Sequence, residues 1–494
     1  MRLNIDFLRP KNFPLSVDQC VGLALSVMTG FLLYSVAIDF NLPIYLFATV
    51  LTGWFIFYYP EVGLIVALLS TLWFERWFTL APIVFGGTVY KLYPLDVILA
   101  LVGLSILWHI YTGQMPRPSF KRFKLDTAIL LFGAVCFFSY AASWFKPTDP
   151  ALAFGTFKNY FLYAVVYLYS IILFNSSESW ARLMRWLKIG GFGLLFFLLL
   201  GVLRGQGMWS EAQTLSTAGA RLLAQSHAFY FLLFALWLGV AYLWPQNQWW
   251  RVSRKTLWWL LLLAVFGVVV SLQRHLWLTG TIILVTWFIF LESAERRRLL
   301  SIIGWALGAA ALAGLIYMWI LLLLFGRLPA SVSKTANIIQ QRASLSMMLN
   351  QGDTSANWRW AAWRGGLKLW AVHPIIGTGL GQKIYGYDKT YLFEVAAREL
   401  HNNYLGILVQ MGLLGAAATA YWFWRLLKLL YALWQKAAAS SLAPFVLGWG
   451  SVVLVFMIVF SVSVYWDTNF LIIWWWLALA ALRFAAVELK IESL

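Results

Sequence analysis

Two short stretches place arginine in tight connections next to long apolar runs. Ser271-Leu-Gln-Arg-His-Leu-Trp277 puts Arg274 and His275 in a connection of only a few residues, and Arg221 lies shortly before another apolar run. A guanidinium at such a position is unfavourable to bury without an anion, and its planar fork fits phosphate oxygens. Both arginines therefore indicate binding of a phosphate or diphosphate group. The alternative is snorkelling to phospholipid phosphate.

A third stretch, Glu399-Leu-His-Asn-Asn-Tyr404, opens a further apolar run and contains His401 and Asn402. A histidine at the N-terminus of a helix lies in a positive dipole field that disfavours the imidazolium form. A neutral imidazole can act as general base toward a hydroxyl group. The other interpretation is that His401 and Asn402 only cap the helix.

The segment before this stretch is rich in tryptophan and arginine. Residues 357–370 predict an interfacial helix, with Trp363, Leu367 and Trp370 on an apolar stripe at i, i+4 and i+7. We expect further substrate contacts from the basic side chains of this segment, which are Arg359, Arg364 and Lys368. The helix is predicted to stop at His373-Pro374, and Gly377-Thr-Gly-Leu-Gly381 predicts a turn. Since no strand is predicted before this glycine run, it is not a nucleotide-binding fingerprint.

These stretches must be positioned by membrane helices. The chain has 494 residues, 62% of them hydrophobic and 11% charged, whereas a soluble domain carries about 25% charged residues. Repeated apolar runs are each long enough to cross about 30 Å of hydrocarbon. The sequence therefore predicts an all-α polytopic membrane protein with roughly 12–14 transmembrane helices. The runs fall at about 17–37, 42–58, 61–79, 93–111, 126–144, 157–175, 186–203, 226–244, 256–272, 275–291, 300–325, 401–420, 443–464 and 469–487.

Clusters of Lys and Arg alternate with connections that carry little charge, and the positive-inside rule makes the clustered side cytoplasmic. Both termini are then cytoplasmic, and the net charge of +18 reflects topology and an anionic leaflet, not nucleic-acid binding. The predicted organisation is transmembrane helices over 1–325, a large, partly helical periplasmic loop over 326–400, and further transmembrane helices over 401–494. No ionisable residue lies near the middle of a predicted span, which disfavours an ion-coupled transporter.

Several motifs together resemble one known family. The Trp/Arg-rich stretch, "HPIIGTGLG", an acidic spacer and then "HNNYLGILVQMGLLG" are similar to the outer loop of the O-antigen ligase/polymerase family. "SLQRHLW" resembles that family's short Ser-x-Ser-Arg turn, with Gln273 in place of the second Ser. Arg221 matches an arginine that precedes a span in family members, although the Asn-Pro that often follows is absent.

The resemblance implies a GT-C-like glycosyltransferase of the bacterial inner membrane that uses an undecaprenyl-diphosphate-linked glycan at the periplasmic face. By that likeness Arg221 and Arg274 would bind the donor diphosphate, and His401 would activate or orient the acceptor hydroxyl. His275 and Asn402 would be further contacts in the substrate loop. Transfer would invert the anomeric carbon and need neither metal nor cofactor, because arginines can stabilise the leaving diphosphate. The partners implied are the lipid-linked donor, a glycan or lipid-linked acceptor, and membrane lipids.

Three alternatives remain at this stage. The same chemistry would suit a ligase, a polymerase or a protein O-oligosaccharyltransferase, and the sequence does not separate them. A small-anion transporter of the bicarbonate type would predict coupled flux and a site at the midplane. A non-catalytic assembly subunit would predict that Arg274 and His401 can be replaced without loss of function.

Overall fold

The computed structural model describes residues 14–38, 41–74, 83–85, 88–90, 93–116, 123–204, 223, 225–247, 249–250, 252–271, 273–325, 354–388, 391–438 and 440–491. Within these residues the protein is an all-α polytopic membrane protein, as predicted. Among the described residues, eight helical segments of at least 18 residues are apolar enough to cross a membrane, and four shorter apolar helices have 15–17 residues.

The described helices follow the apolar runs along the chain. In chain order they are α1 (Val17–Ala37), α2 (Leu42–Tyr58), α3 (Pro60–Phe74), α4 (Pro94–Tyr111), α5 (Lys124–Ser143), α6 (Pro150–Tyr160), α7 (Val165–Leu173), α8 (Ser177–Arg204), α9 (Gln225–Leu243), α10 (Arg254–Val270), α11 (Arg274–Phe290), α12 (Ser293–Phe325), α13 (Thr354–Val372), α14 (Asn403–Ala437), α15 (Ala443–Val459) and α16 (Asn469–Glu488). Two antiparallel hairpins complete the described elements, β1 (Ile83–Phe85) with β2 (Thr88–Tyr90), and β3 (Lys383–Asp388) with β4 (Tyr391–Ala396).

The chain divides into two compact units. Unit 1 comprises Met1–Arg122, Leu162–Gly190 and Asn469–Phe484. Its centre is α3, of which nearly every residue is buried, as expected of an apolar helix with neighbours on all sides. Arg182 of α8 forms an ion pair with Glu61 at the start of α3, and Arg185 pairs with Asp18 of α1 at 3.2 Å.

Unit 2 comprises Phe123–Phe161, Gly191–Thr468 and Ala485–Leu494 and holds every described residue of the candidate site. Helix α5 packs along α14, and α15 packs against α9, α11 and α14. Inside this bundle Trp287 Nε1 donates a 2.7 Å hydrogen bond to Ser451 Oγ. We call the end of unit 2 that carries α13, β3, β4 and residues 460–468 the loop end, and the opposite end, which carries Arg254, Arg298 and Lys436, the basic end.

The predicted runs and the observed helices differ at two places that matter for the site. The run predicted at 157–175 is divided, because α6 ends at Tyr160 and α7 begins at Val165 after a 3-10 turn. The run predicted to end near residue 420 continues as α14 to Ala437 and is interrupted at Gly412, whose φ of 65° and ψ of −161° are not helical. A span of about 30 Å needs only about 20 residues, so the segment after Gly412 is long enough to cross alone.

Candidate active site

His401 lies just before α14 and has an unusual backbone conformation. Asn402 is the N-cap of the helix, and its Oδ1 accepts a hydrogen bond from the Leu405 amide at 3.0 Å. His401, immediately before it, has φ of 53°, a left-handed conformation that costs roughly 1–2 kcal/mol for a residue with a Cβ atom. The cap that the sequence predicted at Asn402 is therefore present. His401 therefore combines a strained backbone with a position directly before the helix cap.

The imidazole of His401 is enclosed on the side of α13. Its ring meets the ring of Trp358 edge-on, and its Nδ1 is buried without a hydrogen-bond partner in the described part of the chain. Burial, with a smaller contribution from the positive charge of Arg359, lowers the pKa of His401 to about 4. His401 is therefore a neutral imidazole near neutral pH. The sequence predicted this state from the helix dipole, whereas burial is its main cause.

Helix α13 and the β3–β4 hairpin form the scaffold beneath His401. Ala362 of α13 packs with Ile384, Val395, Leu400 and Val409 in a small buried cluster. Trp363 Nε1 also donates a 2.7 Å hydrogen bond to the carbonyl of Leu400, directly before His401.

Two glycines allow this close packing. A Cβ atom at Gly365 would lie 2.8 Å from Ile384 Cγ2, and one at Gly366 would lie 3.2 Å from both Leu400 and Val409. The Gly365-Gly366 pair in the Trp/Arg-rich stretch therefore lets α13 approach the hairpin and α14 closely.

The packed face of α13 includes most of the predicted stripe. Trp363 and Trp370 pack against the buried cluster, as do Trp358 and Leu369, whereas Leu367, at the centre of the predicted stripe, is 43% exposed. Arg364 and Lys368 are also exposed, while Arg359 lies close enough to lower the pKa of His401. The hydrophobic pattern alone does not show that the hairpin leaves Leu367 uncovered.

The glycine-rich turn docks into the break in α14. The amides of Thr378 and Gly379 donate to the carbonyls of Val409 and Gln410 at 3.0 Å each. In return the amides of Leu413 and Leu414 donate to the carbonyls of Pro374 and Ile375, at 2.8 and 3.1 Å. The predicted turn thus supplies the backbone partners that the helix loses at its interruption.

Close contact at this junction requires glycine. Gly377 and Gly412 both have positive φ, and a Cβ atom at Gly412 would lie 2.4 Å from the carbonyl oxygen of Ile375. The two motifs "HPIIGTGLG" and "HNNYLGILVQMGLLG" are therefore one structural unit joined through their backbones.

A partly buried ion pair lies close to the start of α14. Arg398 Nε is 3.0 Å from Asp467 Oδ2, and Asn159 Nδ2 donates to Asp467 Oδ1 at 3.1 Å and to its carbonyl at 2.6 Å. Burial raises the pKa of Asp467 to about 6, although Arg398 and Asn159 favour the charged form. This pair joins α6, the end of the loop and the connection between α15 and α16.

Tyr465 and Trp466 together contact the starts of three helices at the loop end. Its Oη is 2.9 Å from Nε2 of His275, and its ring centroid is 4.9 Å from that of Phe229 in the first turns of α9. The next residue, Trp466, donates its amide to Asn403 Oδ1 at 3.3 Å. The connection at residues 460–468 therefore contacts α11 beside Arg274, α9 near its start, and α14 two residues after His401.

The arginine turn is partly enclosed. Arg274 is half-buried at the first position of α11, and Gln273 is 3% exposed. Neither Oε1 nor Nε2 of Gln273 has a hydrogen-bond partner among the described residues. A buried primary amide in this state has unused donor and acceptor capacity beside an arginine. Arg221, the other predicted diphosphate ligand, lies outside the described residues.

Part of the chain that forms this site matches a known protein family. Residues 259–420 match the family model described as O-antigen ligase. The match supports the O-antigen ligase/polymerase family. No curated protein matches the chain. The match confirms the resemblance predicted from the motifs, and together with the apolar helices it supports a multi-pass membrane enzyme of the O-antigen ligase/polymerase type.

The O-antigen ligase match covers only part of the site. Arg274, Arg359, His401 and Gly412 lie inside it, whereas the residues that tie the helix starts together lie outside it. Those residues are Asn159, Phe229, Tyr465 and Asp467.

Sequence reasoning missed the Arg398–Asp467 pair and Tyr465. The available signal was an isolated acid, Asp467, in a short connection between two strongly apolar runs. A lone carboxylate in that position needs a cationic or hydrogen-bonding partner. The partner could not be identified from the sequence, because Arg398 lies 69 residues away and competes with eight other basic residues of the long loop.

Proposed function

We propose that this protein transfers a glycan from an undecaprenyl-diphosphate carrier to a hydroxyl group of an acceptor sugar at the periplasmic face of the bacterial inner membrane. The observation that carries the proposal is a neutral, partly enclosed imidazole at His401, held in a strained conformation inside the O-antigen ligase match. The clustering of basic residues on alternate connections supports cytoplasmic termini and a periplasmic loop end.

Arg274 and Arg221 would bind the donor diphosphate. Arg274 begins α11 at the loop end, where its guanidinium can meet a phosphate at the membrane surface. The unused amide of Gln273 beside it can donate to a phosphate oxygen or bind the first sugar. Since a diphosphate is a good leaving group, arginine side chains that stabilise its developing charge are sufficient for a metal-independent reaction.

His401 would act on the acceptor. In a single inverting displacement, the acceptor oxygen attacks the anomeric carbon, the bond from that carbon to the diphosphate oxygen breaks, and the hydroxyl proton passes to the imidazole. Nδ1 is buried, so Nε2 is the ring nitrogen that would meet the hydroxyl.

An imidazole with a pKa of about 4 is a weak base. Binding of the anionic donor nearby would raise this pKa, because a negative charge favours the imidazolium form. Proton transfer would thereby be coupled to the presence of the donor. The acidic limb of kcat is then expected at higher pH than the acidic limb of kcat/KM.

Purified protein, incubated with lipid-diphosphate oligosaccharide, candidate acceptors and EDTA, tests the proposal. We expect release of lipid diphosphate and formation of a new glycosidic bond that require both His401 and Arg274. Transfer to a lipid A–core acceptor would make the protein a ligase, transfer to a second lipid-linked glycan a polymerase, and transfer to a protein an O-oligosaccharyltransferase. Absence of transfer with all of these acceptors, or full activity of folded His401→Ala and Arg274→Ala variants, would contradict the proposal.

A further inference from the structure

A polar cavity of about 500 Å³ opens at the basic end of unit 2, remote from His401 along α14 and α15. Its polar lining comes from the turn after α9, from α12 and from the turn before α15, and the residues concerned are Gln246, Asn247, Arg298, Ser440 and Ser441. None of the described residues that line it is acidic. The cavity therefore presents one positive charge and several hydrogen-bond donors.

Asn247 is the buried group that makes this cavity a built site. The residue is 6% exposed, and its Oδ1 accepts from the amides of Trp249 and Trp250 at 2.7 and 3.0 Å. Its Nδ2 is buried and has no acceptor in the described part of the chain. A buried amide that is fixed through its oxygen and unpaired at its nitrogen has unused donor capacity toward an acceptor such as a phosphate oxygen.

Arg298 and the start of α15 add positive potential. Arg298 Nη1 donates to the carbonyl of Leu243 at 2.6 Å, which fixes the guanidinium at the end of α9. Ser440 Oγ accepts from the amide of Leu442 at 3.2 Å, so the N-terminus of α15 lies beside the same cavity. An anion placed here meets a guanidinium, an amide donor and the positive end of a 17-residue helix.

We propose that this cavity binds the phosphate group of an anionic phospholipid. A second, apolar cavity of about 220 Å³ is lined by Trp434, Leu447 and Leu454 among others. Leu447 lies three residues after Pro444 of the polar cavity, which is about one helical turn along α15. An acyl chain can occupy the apolar cavity while the headgroup occupies the polar one, so a lipid suits the pair better than free phosphate. Anionic lipids are also those that basic pockets at the cytoplasmic side of membrane helices select.

Native mass spectrometry of delipidated protein in detergent tests this site, with phosphatidylglycerol, phosphatidylcholine and inorganic phosphate as probes. We expect wild type to retain phosphatidylglycerol in preference to phosphatidylcholine. Arg298→Gln and Asn247→Asp should each weaken phosphatidylglycerol binding about tenfold or more, equivalent to about 1.4 kcal/mol. Asn247→Asp keeps the oxygen that accepts from Trp249 and Trp250 but replaces the donor with a negative oxygen.

Arg297→Gln is the matched control, because it removes the same charge from an exposed neighbour that does not line the cavity. Thermal unfolding in detergent verifies that each variant is folded. Equal retention of phosphatidylglycerol by wild type and both variants would overturn the proposal, as would equal binding of phosphatidylcholine. Displacement of the lipid by inorganic phosphate at a similar concentration would show a free-phosphate site and would also overturn it.

Discussion

The rings of Trp358 and His401 meet edge-on, with centroids 5.4 Å apart and planes inclined at 84°. Aromatic rings prefer this arrangement, and pairs of this kind contribute about 0.5–1.5 kcal/mol. The contact means that the orientation of His401 depends on α13, which belongs to the long loop, as well as on α14. A substrate that displaces the loop would therefore also displace the imidazole.

His401→Ala is expected to lower kcat about 10²–10⁴-fold, the usual contribution of general acid–base catalysis, while the protein remains folded. The measurement is the rate of release of lipid diphosphate from a lipid-linked donor. His373→Ala is the control, because His373 lies in the same loop but is exposed at the end of α13. Equal losses in the two variants would mean that the loop tolerates no change of this kind and that His401 has no special role.

Arg359→Gln is expected to move the acidic limb of kcat/KM to higher pH. The positive charge of Arg359 helps to keep the pKa of His401 near 4, so its removal raises that pKa toward the ordinary value of 6.5. Because burial remains, the pKa should stay below 6.5. The pH profile of kcat/KM for both proteins is the measurement.

Arg364→Gln provides the comparison for Arg359→Gln. It removes the same charge from the same helix, but Arg364 is exposed and does not contribute to the shift at His401. Its acidic limb should coincide with that of wild type. An unmoved limb in Arg359→Gln, or a movement to lower pH, would contradict the electrostatic account of His401.

Gly412→Ala is expected to destabilise the protein by more than about 2 kcal/mol, because it combines a positive φ with a Cβ atom 2.4 Å from the Ile375 carbonyl. Gly113→Ala is the matched control, since Gly113 has φ of 73° but no atom within 4 Å of the added Cβ. It should lose only about 1–2 kcal/mol. Thermal unfolding in detergent compares the two, and similar losses would show that the packing of the loop against α14 contributes little.

Helix positions were predictable where a single apolar run forms a single straight helix. The predicted runs at 42–58 and 275–291 coincide within one residue with Leu42–Tyr58 and Arg274–Phe290. The interruptions at residues 161–164 and at Gly412 were not predicted. An average of hydropathy over a window of residues carries no information on backbone dihedral angles. The β3–β4 hairpin was not predicted either. The interpretation of residues 326–400 considered only the interfacial helix and the glycine-rich turn.

The site was predictable in its residue types but not in its assembly. His401 was identified because a histidine at the start of an apolar run is rare and lies at one membrane face. The cause of its neutral state was only partly predicted, because burial by Trp358 depends on a contact 43 positions away in the chain. Tyr465 could not be singled out from the other tyrosines without knowing that it meets His275.

Arg398→Gln is expected to make stability more strongly pH-dependent. Burial raises the pKa of Asp467 from 3.8 to about 6, so the stability contributed by this group is complete below pH 3.8 and is lost as pH rises through about 6. Arg398 opposes this shift, and its removal should raise the pKa of Asp467 further. The loss of stability should then extend to higher pH. It should also exceed the loss in wild type, which is on the order of 2–3 kcal/mol.

Unfolding midpoints of Arg398→Gln measured from pH 5 to pH 8 should fall more steeply than those of wild type. Asp467→Asn has no titrating group at this position, so it should lack this component of the pH dependence. A flatter profile for Arg398→Gln than for wild type would contradict the assignment of Asp467 as the titrating group.

Tyr465→Phe is expected to lose about 1 kcal/mol of stability, because it removes the hydroxyl that meets Nε2 of His275 and keeps the ring contact with Phe229. If the connection at 460–468 holds the starts of α9, α11 and α14 in register, kcat should fall more than KM rises. Tyr431→Phe, at an exposed tyrosine near the basic end, is the control for loss of a hydroxyl. Unchanged kinetics of Tyr465→Phe would assign Tyr465 to packing alone.

The junction at Gly412 also sets an order of events during biosynthesis. The amides of Thr378 and Gly379 and the carbonyls of Pro374 and Ile375 obtain their partners from residues 409–414, which leave the ribosome later. The loop therefore cannot complete its fold before residues 409–414 have been made. It reaches its final structure only once the start of α14 has been made, so folding of the loop is coupled to formation of that helix.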